Sequence, residues 1–68
     1  MFYRYKGTLY SLDNVRKVQT SKDNREIAIN YLDGGVSHIG LGGSEQEAIM
    51  VLNDIEKKVE WEVRKNAP

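Results

Sequence analysis

The first forty or so residues alternate short hydrophobic runs with turn signals, whereas the rest has the periodicity of a single helix. Strands are predicted where β-branched, aromatic and aliphatic residues lie between clusters of Gly, Asp and Asn. The predicted strands are Phe2–Tyr5, Thr8–Leu12, Val15–Ser21, Glu26–Leu32 and Val36–Leu41. Short connections between them favour an antiparallel meander of about five strands over residues 2–41.

Turn chemistry supports these boundaries. Lys6-Gly7 fits a two-residue hairpin turn. Lys22-Asp23-Asn24-Arg25 is a polar turn, because Asp and Asn tolerate left-handed backbone conformations and hydrogen-bond their own backbone.

The register of the last hairpin is predicted from its apolar residues, because a slip of one residue moves every side chain to the other face. A three-residue loop at Asp33-Gly34-Gly35 gathers the large apolar residues on one face. It pairs Tyr31 with Ser37, Ile29 with Ile39, and Ile27 with Leu41. Pairing across the Asp23-Asn24 turn then adds Val18 and Thr20 to the same face, opposite Ile29 and Ile27.

The opposite, open face of the sheet is then half apolar and half polar. Its middle row is predicted to hold Lys17, Asn30 and His38, which form a candidate binding face. Val15, Leu32 and Val36 are expected at one end of this face, and Gln19, Ala28 and Gly40 at the other.

A long amphipathic helix is predicted over residues 44–65. Ser44 is a good N-cap, and Glu47 three residues later completes a capping box. The helix face expected to pack on the sheet consists of Ala48, Leu52, Ile55, Val59 and Val63, widened by Ile49 and Val51. Together with the strands, this predicts one α+β domain over residues 1–68.

The predicted helix length suggests a second chain. About twenty helical residues span roughly 30 Å, whereas a six-residue strand spans about 20 Å. The last turns should overhang the sheet, and Met50, Lys57 and Trp61 lie on the far side of the helix. We therefore expect a homodimer or higher assembly through this surface, with a monomer as the alternative.

Composition narrows the class of protein. The chain has 68 residues, no cysteine, 40% hydrophobic and 29% charged residues, and ten basic against ten acidic side chains. It is too short for more than one domain, and without cysteine it has no disulfide framework. No apolar stretch is long enough to span a bilayer, and the start lacks a signal-peptide core. We expect a cytoplasmic protein without membrane association.

The zero net charge conceals an asymmetry. Residues 1–25 hold six basic and two acidic side chains, whereas residues 26–68 hold eight acidic and four basic ones. Aromatic residues interleaved with basic ones are typical of single-stranded nucleic-acid surfaces. The candidate contacts are Tyr3, Arg4, Tyr5, Lys6, Arg16 and Lys17. The competing interpretation is that the tyrosines complete a small core.

The sequence contains few residues in patterns typical of catalytic or cofactor-binding sites. His38 is the only histidine, and no cysteine or carboxylate pattern completes a zinc site. Gly40-Leu41-Gly42-Gly43-Ser44 lacks the Lys-Ser/Thr of a phosphate-binding loop. We predict no cofactor and no enzymatic activity. The preferred hypothesis is a small interaction module that docks on itself or on another protein.

The C-terminal part has one structural resemblance. A strand containing His38-Ile39-Gly40-Leu41 is followed by a helix from Ser44-Glu45-Gln46 through Arg64. This order is broadly similar to that of small single-stranded-DNA-binding coactivator domains, over less than half of the chain. The resemblance implies a dimer with a nucleic-acid-binding sheet.

Overall fold

A computed structural model describes residues 1–59 of the chain. The strands are β1 (Phe2–Tyr5), β2 (Thr8–Ser11), β3 (Val15–Thr20), β4 (Glu26–Tyr31) and β5 (Val36–Gly40), and the helix is α1 (Glu45–Lys58). All strand pairs are antiparallel. The predicted α+β class, with five strands and a C-terminal helix packed on a sheet, is confirmed. The strands divide between a β1-β2 hairpin and a three-stranded sheet of order β3-β4-β5.

The first hairpin closes through the predicted two-residue turn. Tyr5 pairs with Thr8, and the two residues between them have positive φ, 49° for Lys6 and 85° for Gly7. This conformation matches the right-handed twist of the flanking strands, and glycine adopts it without a Cβ clash.

Pairing between β3 and β4 follows the predicted register, with Val18 opposite Ile29 and Thr20 opposite Ile27. A bulge interrupts the ladder between Val15 and Lys17. Because it adds one residue to β3, Val15 lies opposite Tyr31 and packs against the core. The placement of Val15 on the open face was wrong for this reason.

The β4-β5 register differs from the prediction by two residues. The loop is Leu32-Asp33-Gly34, closed by the Tyr31 N–H donating to the Gly35 carbonyl at 2.9 Å. The left-handed residue is therefore Gly34, with φ 93°, and an Asp33 carboxylate oxygen accepts from the Gly35 N–H at 2.8 Å. Ile27 pairs with Ile39 and Ile29 pairs with Ser37. A shift of two residues preserves the faces but changes every cross-strand neighbour.

Helix α1 begins as predicted and ends early. The Ser44 side chain accepts from the Glu47 N–H at the N-terminus. At the other end Val59 is already extended, with ψ 132°, and its N–H donates to the Ile55 carbonyl. The 14 residues span about 21 Å, which matches the length of a six-residue strand. The predicted continuous helix to residue 65 is wrong at Val59, and residues 60–65 lie outside the described part.

The core lies between the three-stranded sheet and the layer formed by α1 and the β1-β2 hairpin. Its fully buried side chains are Ile27, Ile29, Ile39, Val51 and Ile55. Each contributes about 1.5–3 kcal/mol through burial. The helix packs on β3 and β4, and Tyr31 links the sheet to the hairpin by a hydrogen bond from its hydroxyl to the Ser11 carbonyl. No helix within residues 1–59 is both long enough and apolar enough to cross a membrane.

Candidate interaction site

The candidate site is the free edge of β5. In an antiparallel pair, alternate residues direct their backbone groups toward the partner strand. The ladder bonds at Tyr31–Gly35 and at Arg25–Leu41 fix this alternation, so Ser37 and Ile39 face β4. The N–H and C=O groups of Val36, His38 and Gly40 therefore face away from it, and no described strand pairs with that edge.

The side chains along this edge are accessible and carry little charge. Val36 is 47% exposed, and the His38 side chain is 57% exposed. The Nδ1 atom of His38 lies 3.1 Å from a carboxylate oxygen of Glu26 on the neighbouring strand. Gly40 is exposed and has open space beside the position of a Cβ. Another strand can approach here without displacing a bulky group.

The other edge of the sheet, β3, is different. It carries the bulge between Val15 and Lys17, and the side chains of Arg16 and Lys17 are exposed. Bulges and basic residues are two devices by which proteins prevent edge strands from pairing with other chains. β5 has neither a bulge nor a lysine or arginine, so the two edges differ in their capacity to accept a strand.

The predicted row of Lys17, Asn30 and His38 is not formed. Lys17 lies opposite Asn30, but Asn30 lies opposite Val36, and His38 lies opposite Ala28. The two-residue shift in the β4-β5 register causes this change. The amide nitrogen of Asn30 is buried and has no hydrogen-bond partner in the described chain.

The predicted nucleic-acid residues are split between the core, an ionic cluster and the surface. Tyr3 is 6% exposed and belongs to the core, and burial raises the pKa of its hydroxyl. The ring of Tyr5 stacks on Tyr3 with centroids 6.1 Å apart. Arg4, Arg16 and Lys17 remain exposed. The two tyrosines expected to stack on nucleic-acid bases therefore contact other parts of the protein instead.

The ionic cluster joins the first hairpin to the start of α1 through Glu47. The Tyr5 hydroxyl donates to this carboxylate, the Gly42 N–H donates to it at 2.8 Å, and the Lys6 Nζ lies 3.3 Å away. Chiefly because of the Tyr5 hydrogen bond, the pKa of Glu47 falls to about 2. The same bond raises the pKa of Tyr5 to about 12. Glu47 thus reaches back to Gly42, whereas a capping box would place it on Ser44.

The predicted surface on the far side of α1 is present only in part. Met50 is 51% exposed, and Lys57 is exposed. Trp61 lies outside the described residues. Ile49, expected to widen the buried stripe, is 52% exposed beside Met50. Because α1 is about as long as a six-residue strand, its length no longer gives a reason to expect a second chain on this surface.

A cleft of about 470 Å³ lies where the hairpin meets the sheet. Its polar lining includes Ser11, Asp13, Asp33 and Ser37, with the Tyr31 ring among them.

Residues 1–59 contain no group of three or more His, Asp or Glu side chains placed to hold a metal ion.

The predicted meander already places the last strand at the edge of the sheet, but sequence reasoning did not identify that edge as a site, because which backbone groups of β5 face outward depends on its register with β4. One signal was present: of the five predicted strands, two contain no acidic, lysine or arginine side chain, namely Val36–Leu41 and Thr8–Leu12. No protein-family model, curated protein or solved structure matches the chain.

Proposed function

We propose that this protein is a small, non-enzymatic interaction module that accepts an extended strand of a protein partner on the edge of β5. The observation that supports the proposal is the contrast between the two sheet edges. β3 carries a bulge and two basic residues, whereas β5 contains no Lys, Arg, Asp or Glu and its outer edge pairs with no described strand.

Strand addition suits a domain of this size. Backbone hydrogen bonds supply affinity without a deep pocket, and alternate side chains of the incoming strand supply specificity. The edge offers the N–H and C=O groups of Val36, His38 and Gly40. Because β4 and the buried Ile39 hold β5 in its extended conformation, the edge is ordered before the partner arrives, and this lowers the entropy lost on binding.

Single-stranded nucleic-acid binding is the alternative. It is supported by the exposed cations Arg4, Arg16 and Lys17. It is weakened by the placement of Tyr3 in the core and of Tyr5 and Lys6 beside Glu47. We also propose a cytoplasmic location, on the ground that the sequence contains no cysteine and so does not depend on an oxidising compartment.

The proposal is tested by selecting peptides from a random display library on the immobilised protein and mapping them by NMR on the isotope-labelled chain. We expect selected peptides to slow hydrogen exchange of the outward amides of Val36, His38 and Gly40. The variant His38→Pro removes one outward N–H without removing a bond to β4, and it should bind these peptides about tenfold more weakly.

The control is Ile49→Lys, an exposed position on α1 that should leave peptide binding unchanged. If the selected peptides instead perturb only the surface of α1 or the outer face of the first hairpin, or if His38→Pro binds as tightly as the parent, strand addition at β5 is rejected.

A further inference from the structure

We infer that the strand that occupies the β5 edge is β5 of a second copy of this chain, paired antiparallel about a two-fold axis. This inference rests on the proposed function, because it uses the same edge. It joins two three-stranded sheets into one continuous sheet. The dimer contact then lies on the sheet edge, away from the far side of α1.

The register of this pairing follows from which backbone groups are free. Only Val36, His38 and Gly40 present groups away from β4, so these residues must form the hydrogen-bonded pairs of the new ladder. Centring the two-fold axis on His38 pairs it with His38 of the second copy, and it pairs Val36 with Gly40 in both directions. Every outward group of β5 then finds a partner. An axis centred on Ser37 or Ile39 leaves one end of the strand unpaired.

Side chains in this register are compatible across the axis. On the outer face, the half-exposed Val36 covers Gly40 of the second copy, which has open space in place of a Cβ. On the inner face, Ser37 lies opposite Ile39. The strand contains no Lys, Arg, Asp or Glu, so pairing it with itself brings no such like charges together. Each His38 at the axis keeps the Glu26 carboxylate 3.1 Å from its Nδ1, so each ring retains a polar partner within its own chain.

The same operation at β3 is unfavourable. A two-fold axis there would bring Arg16 and Lys17 of one chain close to the same residues of the other, and like charges directly opposite each other destabilise a sheet. Self-pairing is therefore favoured at β5, where no Lys, Arg, Asp or Glu side chains are brought together, over β3, where basic side chains would repel each other.

The test is hydrogen exchange measured residue by residue by NMR on the wild-type chain, from dilute to concentrated solution. In a monomer, the amides of Ser37 and Ile39 are protected by β4, whereas those of Val36, His38 and Gly40 face water. We expect these three amides to gain about tenfold or more protection as concentration rises. The mass measured by sedimentation should approach twice that of one chain over the same range.

Two variants test whether a second copy of the chain occupies the β5 edge. Val36→Lys places a charge on the edge, and it should weaken dimerisation about tenfold or more while leaving the circular dichroism spectrum unchanged. The matched control Ile49→Lys should remain dimeric. The inference is overturned if wild-type protein stays monomeric with unprotected outward amides, or if Ile49→Lys dissociates the dimer and Val36→Lys does not. A monomer that still binds selected peptides on β5 would overturn the self-pairing alone and leave the proposed function standing.

Discussion

Removing the hydroxyl group of Tyr31 should destabilise the contact between the β1-β2 hairpin and the three-stranded sheet. This hydroxyl donates to the Ser11 carbonyl at 2.7 Å, and its oxygen lies 3.0 Å from the Ser37 hydroxyl. Since a phenol has one hydrogen and the carbonyl can only accept, the Ser37 hydroxyl donates to Tyr31. Tyr31 therefore connects β2, β4 and β5 through a single oxygen atom. Tyr31→Phe keeps the ring and deletes both bonds.

The expected loss of stability follows from those two bonds. A protein hydrogen bond contributes about 1 kcal/mol net, because the unfolded chain bonds to water instead. Tyr31 is half-buried, so water replaces part of what is lost, and we expect destabilisation of about 1–2 kcal/mol. For a domain of this size, that lowers Tm by about 5–15 °C.

The assay is thermal and urea unfolding followed by circular dichroism, with Tyr10→Phe as the matched control. Tyr10 packs against the same core, but its hydroxyl has no hydrogen-bond partner in the described chain. We expect its removal to change stability by less than about 0.5 kcal/mol. If Tyr31→Phe is no less stable than Tyr10→Phe, the Tyr31 hydroxyl does not stabilise the contact between the two sheets, and that contact depends on apolar packing alone.

Two further predictions concern acid and nucleic acid. Because folding lowers the pKa of Glu47 from 4.5 to about 2, its stabilising contribution is present above about pH 4.5 and is lost as the pH falls toward 2. Glu47→Gln should therefore lose less Tm than wild type between these pH values, and parallel losses would contradict the role of Glu47. In a low-salt titration with a fluorescent single-stranded oligonucleotide, we expect no saturable binding at micromolar protein, since Tyr3 and Tyr5 are used internally; tight binding that weakens steeply with salt would restore the alternative.

Local chemistry was sufficient to predict most elements of this fold. Gly7 sits at a position with φ 85°, and Ser44 caps the helix through the Glu47 N–H. Both features depend on a few neighbouring residues, so they can be predicted without knowing the rest of the fold. The face shared by Ile27, Ile29 and Ile39 was also predictable, because alternation along a strand fixes which side chains are buried together.

The β4-β5 register and the end of α1 were both predicted wrongly. At each of them the local sequence is compatible with two backbone conformations. Gly34 and Gly35 can each adopt a left-handed conformation; Gly34 does so, in a loop where the Asp33 carboxylate accepts from the Gly35 N–H. Similarly, the apolar spacing of Ile55 and Val59 continues through the point where the helix ends, since Val59 is buried whether or not it is helical. Hydrophobic periodicity reports burial, and burial alone does not locate the end of a helix.

The corrected end of α1 removes one candidate interaction surface, whereas the corrected β4-β5 register creates another. Ending α1 at Lys58 removes the overhang that placed a partner on the far side of the helix. Shifting the β4-β5 register by two residues moves His38 beside Ala28 and Glu26, away from Lys17 and Asn30. His38 thereby becomes the centre of an edge strand whose outward backbone groups are symmetrically spaced at Val36 and Gly40. The self-association predicted from helix length thus has a different physical basis, namely a strand edge that a copy of itself can complete.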